Sequence, residues 1–327
     1  MRIVRTAISL IILIPILSGC DSESPEAFFD TYSQRVANVL DTSFDEPEIS
    51  LDKLPRKREL QLAIPTVTLG LLDSYQLRQC GLFQLIAERN SVLGKMADEF
   101  SNYDYQAALL SGLAACIDNP NIDSELSATL NEIRKQKSAQ LSMHQWNLLY
   151  ASDAMQSQLF GTQWLTTGMS EQVQQVNNAL STVNEAFSAS LGASNLVKVQ
   201  ETLDKISVVG DLYYSLHHSA AQLSFITEQL NSNDHKVICA PQRDITRFKY
   251  LNNVFDQQYI GKVQPYLAAL DSYYQQLAKN LTIFEPQPQL HPYVYPLKQS
   301  HTAFRQATLE HIQYWQRLFK RCGRKVG

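Results

Sequence analysis

The chain has 327 residues, with 28 basic and 32 acidic side chains and a formal net charge of −4. That balance excludes electrostatic binding to nucleic acid, which needs a concentrated basic face. Its 12 glycines and 12 prolines make up about 7% of the chain against ~12% on average, and its charged fraction is 18% against ~25%, so the composition predicts long helices, few turns and a neutral polar surface rich in glutamine.

Arg2 and Arg5 precede an apolar run from Thr6 to Leu17. That run suits the apolar region of a signal peptide and falls short of the ~20 residues a spanning helix needs. Leu17-Ser18-Gly19-Cys20 follows and resembles a bacterial lipobox. The resemblance implies cleavage after residue 19, a diacylglyceryl group on the Cys20 thiol and an acylated amino group. Several acyl chains, at ~0.8 kcal/mol per buried CH₂, make a stable membrane anchor. The alternative is an uncleaved N-terminal anchor with an incidental cysteine. Asp21 resembles the signal that keeps a lipoprotein in the inner membrane of enteric bacteria; the outer membrane is the other destination. The expected layout is a signal peptide at 1–19, a lipidated tether at 20–24 and one all-helical domain at 25–327 on the periplasmic face. Subregions 25–165 and 166–327 would meet near residue 165. Loss of residues 1–19 removes Arg2 and Arg5 and takes the net charge from −4 to −6.

Ser24 is placed to cap a first helix, with Pro25 at its first position and Glu26 in its first turn. Phe28, Phe29, Tyr32, Val36 and Val39 recur at helical spacing. Residues 41–58 read as a loop, with Arg56-Lys57-Arg58 as a solvated charge run. Leu60, Leu62 and Ile64 alternate until Pro65. From Thr66 the period becomes helical, through Leu69, Leu72, Leu77, Leu82, Leu85 and Ile86. Tyr105 to Cys116 form a further helix, broken at Asp118-Asn119-Pro120-Asn121. Leu126, Leu130 and Ile133 begin another that continues or kinks through Leu141, Leu148 and Leu149 to Leu159. Gly161 and Gly168 bracket a break.

Ser170 then caps a longer element. Val173, Val176, Leu180, Val183, Phe187 and Leu191 follow at spacings of three and four. Gly192 ends it, Asn195 is placed to cap the next, and Leu196, Val199, Leu203 and Ile206 repeat the pattern. The reading is a heptad-like helical hairpin over 170–231, either a protruding arm or a pair of core helices. Pro241 opens a helix through Leu277 with a kink expected at Pro265. Residues 285–296 hold four prolines and read as irregular. A last helix carries Phe304, Ile312, Trp315 and Phe319 and stops at Gly323. The closing run Lys320-Arg321-Cys322-Gly323-Arg324-Lys325 either complements the helix end or meets anionic headgroups.

Ala87-Glu88-Arg89-Asn90-Ser91-Val92-Leu93-Gly94-Lys95 ends the Cys80-bearing helix. A cysteine-bearing helix running into Glu-Arg-Asn-Ser and then Leu-Gly-Lys resembles a family of proteobacterial lipoproteins grouped as domain of unknown function 3080. The resemblance covers most of the mature chain. It implies fold and location and supplies no activity or site.

With Cys20 assigned to lipid, Cys80, Cys116, Cys239 and Cys322 remain. In an oxidising compartment four cysteines form two disulfides in one of three connectivities. Cys80–Cys116 and Cys239–Cys322 are favoured, because each pair joins elements close in sequence or flanks one helical unit; buried free thiols are the alternative. No CxxC or Cys/His cluster suggests zinc, and no cofactor is implied beyond the Cys20 lipid.

The densest polar group is Glu88, Arg89, Asn90 and Ser91. It either binds a polar ligand or forms a helix end, with Glu88 paired to an arginine and Asn90 or Ser91 capping. His217 and His218 point about 100° apart on a helix, so one metal site would hardly use both. His301 and His311 with Glu310 make no HExxH. GxSxG, SxxK, P-loop and GxGxxG signatures are missing, and no catalytic or metal residue is assigned. The fold class is all-α: an elongated multi-helix bundle with a long hairpin, stapled by disulfides. The leading functional expectation is a non-enzymatic envelope scaffold or accessory subunit that meets a protein partner through 170–231. The alternative is a periplasmic ligand-binding protein or hydrolase with a site near Glu88 and Arg89.

Overall fold

The structure, a computed structural model, describes residues 24–45, 47–67, 76–189, 195–240 and 243–324. The lipobox, Cys20, Asp21, Leu69, Leu72, Leu191, Gly192 and Pro241 lie outside the described residues. The described residues form helices and no strand. None of these helices is long and apolar enough to cross a membrane.

Helix α1 spans Pro25–Val39, and the Ser24 side chain caps it by accepting from Ala27 N at 3.3 Å. Its apolar stripe, Phe29, Tyr32 and Val36, is fully buried. A four-residue helix, α2 (Lys57–Leu60), ends the loop. The alternating Leu60–Pro65 stretch is extended but pairs with no strand. Side chains of a later helix take its backbone groups: Trp146 Nε1 donates to Leu60 O (2.7 Å), Asn147 exchanges two bonds with Leu62 (2.8 and 2.9 Å) and Gln140 donates to Pro65 O (3.0 Å). The helix predicted through Leu77 and Leu82 is divided by Gly81 at φ 78°, a left-handed residue that glycine adopts without strain. Helix α3 (Leu82–Asn90) follows, and Ser91 caps the short α4 (Val92–Lys95).

Helix α5 (Glu99–Ile117) and the uninterrupted α6 (Ser124–Ala151) pack side by side. Ser152 then caps α7 (Asp153–Leu159). The hairpin expected over 170–231 has a different inner construction. Helix α8 (Ser170–Ser188) starts without a side-chain cap, and α9 (Val197–Lys205) packs against α8 and α7. Asn195 does not cap α9; Asp104 of α5 reaches over to accept from Leu196 N at 2.9 Å. The second arm then breaks at Ile206-Ser207, and α10 (Val208–Ser232) continues. One fully buried side chain explains the break: Gln158 donates to Leu203 O (3.1 Å) and Ile206 O (2.7 Å) and accepts from Val209 N (2.9 Å). It satisfies the backbone groups that the break leaves open. Gly161 and Gly210 cross nearby, where a Cβ on Gly161 would stand 1.9 Å from Gly210 O.

Helix α11 (Thr246–Val254) runs through a π-helical stretch, Phe255–Val263, into α12 (Gln264–Leu277). The kink predicted at Pro265 is replaced by this widened turn, which shifts the hydrogen-bond register just ahead of a residue with no N–H to give. Gln258 Oε1 and Tyr259 Oη, both on the π stretch, are buried without partners. Helix α13 (Leu297–Cys322) closes the chain at Gly323, again left-handed (φ 73°). The α10–α13 pair is the most extensive helix pairing, so α10 is an internal helix rather than a projecting arm. Two residues of the closing basic run pair internally: Arg321 meets Asp234, and Arg324 meets Asp256 at 2.8 Å.

Two hydrophobic clusters result. The large one draws on side chains from Phe29 to Phe319, on both sides of residue 165. The small one is built from Leu77, Leu82, Leu109, Leu113, Cys116, Ile122, Leu126 and Leu130. Each is tied by one disulfide, Cys239–Cys322 (Cα–Cα 5.0 Å) at the large cluster and Cys80–Cys116 (5.2 Å) at the small one.

Candidate functional site

The extended stretch Gln61–Val67 and helices α3, α5 and α6 leave a cleft of about 960 Å³ between them. That lies near the top of the ~300–1,000 Å³ range of small-molecule sites. Leu82, Ile86, Leu109, Leu113, Leu130 and Ile133 form its apolar wall. Its polar wall carries Arg58, Arg89, Asn90, Asn102, Lys137 and His144, and no carboxylate among the described residues lines it.

Arg89 Nη2 donates to Asn102 Oδ1 at 3.2 Å, and its guanidinium stands over the Tyr105 ring, 5.6 Å from the centroid. The Asn102 amide continues to His144 Nδ1 at 3.2 Å. A guanidinium has donors only, so the atom it meets must be the Asn102 oxygen, and the amide nitrogen must face His144. His144 Nδ1 is therefore the acceptor. Burial, followed by the nearby Lys137 and Arg89, pushes His144 down to about 4. The ring is neutral at pH 7 and its one proton sits on Nε2. That Nε2 is buried with no hydrogen-bond partner among the described residues, and so is Arg89 Nη1. Both free groups are donors. Lys137 is lowered by burial and then by Arg89, the sign of positive groups facing one cleft without a counter-charge.

Over residues 29–326 the chain matches the family described as protein of unknown function (DUF3080). It belongs to that family. No curated protein and no solved structure matches it. The family description names no ligand, so the chemistry has to come from the side chains themselves.

Of the four polar residues singled out in sequence, Arg89 and Asn90 line the cleft. Glu88 is exposed and accepts from Gln84 Nε2 at 2.9 Å. Ser91 donates its hydroxyl to Glu88 O (2.6 Å) and accepts from Gly94 N (3.1 Å), which makes it a cap. Glu88 and Arg89 point about 100° apart on the helix, so Arg89 faces the cleft while Glu88 faces water. Asn102, Lys137 and His144 escaped the sequence reading. For Lys137 and His144 the signal is the face of α6, where they succeed Leu130 and Ile133 on the same side; Asn102 on α5 has no such signal.

Three other histidines have ordinary partners. His217 bonds to Ser50 O (3.0 Å), and His218 bonds to Tyr214 O (2.9 Å) while stacking on Tyr214 at 3.8 Å. His301 meets Asp271 at 2.7 Å. No group of three metal-ligating side chains occurs among the described residues.

Proposed function

We propose that the protein is a membrane-tethered binding protein of the bacterial cell envelope that holds an anionic ligand in the cleft beside Arg89. The observation that carries this reading is the pair of buried donors, Arg89 Nη1 and His144 Nε2, that have no partner and line a wall without a carboxylate among the described residues. A buried polar group without a partner is uncommon in a folded protein and calls for a cause. An incoming anion supplies one, because it accepts from both donors and offsets the positive side chains around them. Binding is favoured over hydrolysis. His144 Nε2 has no hydroxyl or thiol within hydrogen-bond reach to activate, and a nucleophile needs such a base. A scaffold role through 170–231 has less support, because α10 turns its apolar side to α13 and the large core.

The tether is Cys20, and Asp21 favours the inner membrane with the domain on the periplasmic side. A Cys20→Ser chain is expected to accumulate as an unprocessed precursor without fatty-acid labelling; normal processing would contradict the anchor. For the cleft the probe is 1-anilinonaphthalene-8-sulfonate. Its fluorescence should rise saturably with the processed chain and lose most of that response in Arg89→Gln. An equal response in both would remove the site.

A further inference from the structure

Three helices line the cleft, and all three change character along it in the same direction. On α3, Leu82 and Ile86 give way to Arg89 and Asn90. On α5, read from its C-terminal end, Leu113 and Leu109 give way to Gln106, Tyr105 and Asn102. On α6, Leu130 and Ile133 give way to Lys137, His144 and Asn147.

Contacts fix the alignment at both ends. At the apolar end α3 and α5 lie so close that a Cβ on Gly112 would stand 2.7 Å from Leu82 Cδ1, and Leu82, Leu113 and Leu130 share the small core. At the polar end the bonds Arg89–Asn102–His144 cross all three helices. The cleft is thus polarised, with donors at one end and a hydrocarbon wall at the other. From Leu130 to His144 the gradient runs ~21 Å at 1.5 Å per residue. Just past Asn90, Val92 and Leu93 of α4 and Met96 directly after it are exposed by 78%, 83% and 80%. That apolar surface beside the donors is what a lipid source would meet.

Accepting that the cleft binds an anion, we infer that its ligand is a single-chain amphiphile, with a carboxylate or phosphate head on Arg89, His144 and Lys137 and one acyl chain along Ile86, Leu109 and Ile133. A head without a chain would leave the half-buried Ile86 and Ile133 facing water, and a chain without a charge would leave both donors unpaired.

The test uses the processed chain, residues 20–327 with Cys20→Ser, and competition against 1-anilinonaphthalene-8-sulfonate. The competitors are butanoate, hexanoate, octanoate, decanoate and dodecanoate below micelle formation, with dodecyl phosphate and 1-dodecanol at equal length. Each added CH₂ is expected to tighten binding about fourfold, equivalent to ~0.8 kcal/mol per buried CH₂. Dodecanol should bind at least tenfold more weakly than dodecanoate. Ile133→Trp, which crowds the apolar end, should cost dodecanoate at least tenfold and leave hexanoate unchanged. Dodecyl phosphate binding tighter than dodecanoate would point to a phospholipid source, and the reverse to free fatty acid. A series flat with chain length, while the probe still depends on Arg89, would overturn the amphiphile and leave anion binding standing. Dodecanol equal to dodecanoate would overturn the anionic head. A probe indifferent to Arg89→Gln would sink both readings.

Discussion

His311 and His144 are both buried, and burial drives both down, His311 to about 3 and His144 to about 4. They differ in their partners. In the large core Thr227 Oγ1 gives its proton to Leu223 O (2.6 Å), so it accepts from His311 Nδ1 at 2.7 Å. His311 Nε2 then accepts from Tyr32 Oη at 2.8 Å and Trp315 Nε1 at 3.0 Å. Both ring nitrogens are used, and α1, α10 and α13 are locked in one register by the bonds. In the cleft His144 has one partner and one idle donor. A saturated polar network specifies a packing, whereas an unsaturated one in a lined cavity marks where something else belongs.

Acid separates the two most strongly. An unfolded histidine takes its proton near 6.5, while folded His311 stays neutral until about 3. Between those values the unfolded state holds more protons, so stability is complete above pH 6.5 and falls as the pH drops. Full descent to pH 3 costs about 5 kcal/mol from His311 and about 3 kcal/mol from His144, at ~1.36 kcal/mol per unit. Urea melts from pH 7.5 to 3 should show this loss; His311→Leu and His144→Leu should flatten the slope alike down to about pH 4, and below that only His311→Leu should flatten it further.

Cutting the disulfides should come next. By loop-closure entropy the 83-residue separation of Cys239–Cys322 corresponds to ~4.6 kcal/mol and the 36-residue separation of Cys80–Cys116 to ~3.8 kcal/mol. The sizes are similar but the reach differs. Cys80→Ala with Cys116→Ala should raise hydrogen exchange across α3 and α5 and leave α13 protected. Cys239→Ala with Cys322→Ala should lower the global melt.

The sharpest contrast is smaller. At pH 7.5 His311→Leu removes three bonds, to Thr227, Tyr32 and Trp315, and should cost ~2–4 kcal/mol, whereas His144→Leu removes an idle donor and one bond, from Asn102, and should cost ~1 kcal/mol. Equal losses would mean the two networks are the same kind of object. Smaller still is Gly94→Ala. A Cβ there would lie 2.3 Å from Glu88 O and 2.5 Å from Arg89 O. It should cost ~1 kcal/mol by pushing on the end of α3, and weaken the anilinonaphthalene probe by moving Arg89.

Much of this was legible in the sequence because it is local. Ser24 and Pro25 announce α1, Asp118–Asn121 ends α5, and Gly323 stops α13, since caps and breakers act within a turn of the chain. Both cysteine pairings are the ones the sequence favoured among three connectivities, since each joins elements close in sequence or flanks one helical unit. The hairpin was half legible. Its apolar seams were visible, but a seam does not say which surface it meets, and the break at Ile206-Ser207 depends on Gln158, some fifty residues upstream. Arg89 was legible as a polar residue ending an apolar helix. Its role was not, because that depends on Asn102 and His144, which only the folding of α5 and α6 brings to it.

The most direct measurement is a nuclear magnetic resonance titration of the chain labelled with ¹⁵N at its seven histidines, adding dodecanoate at pH 7.5. The account predicts a saturable shift of the His144 Nε2 signal, absent in Arg89→Gln, with the His311 ring signals unmoved. A His144 ring that ignores the ligand, or a His311 ring that moves equally, would contradict it.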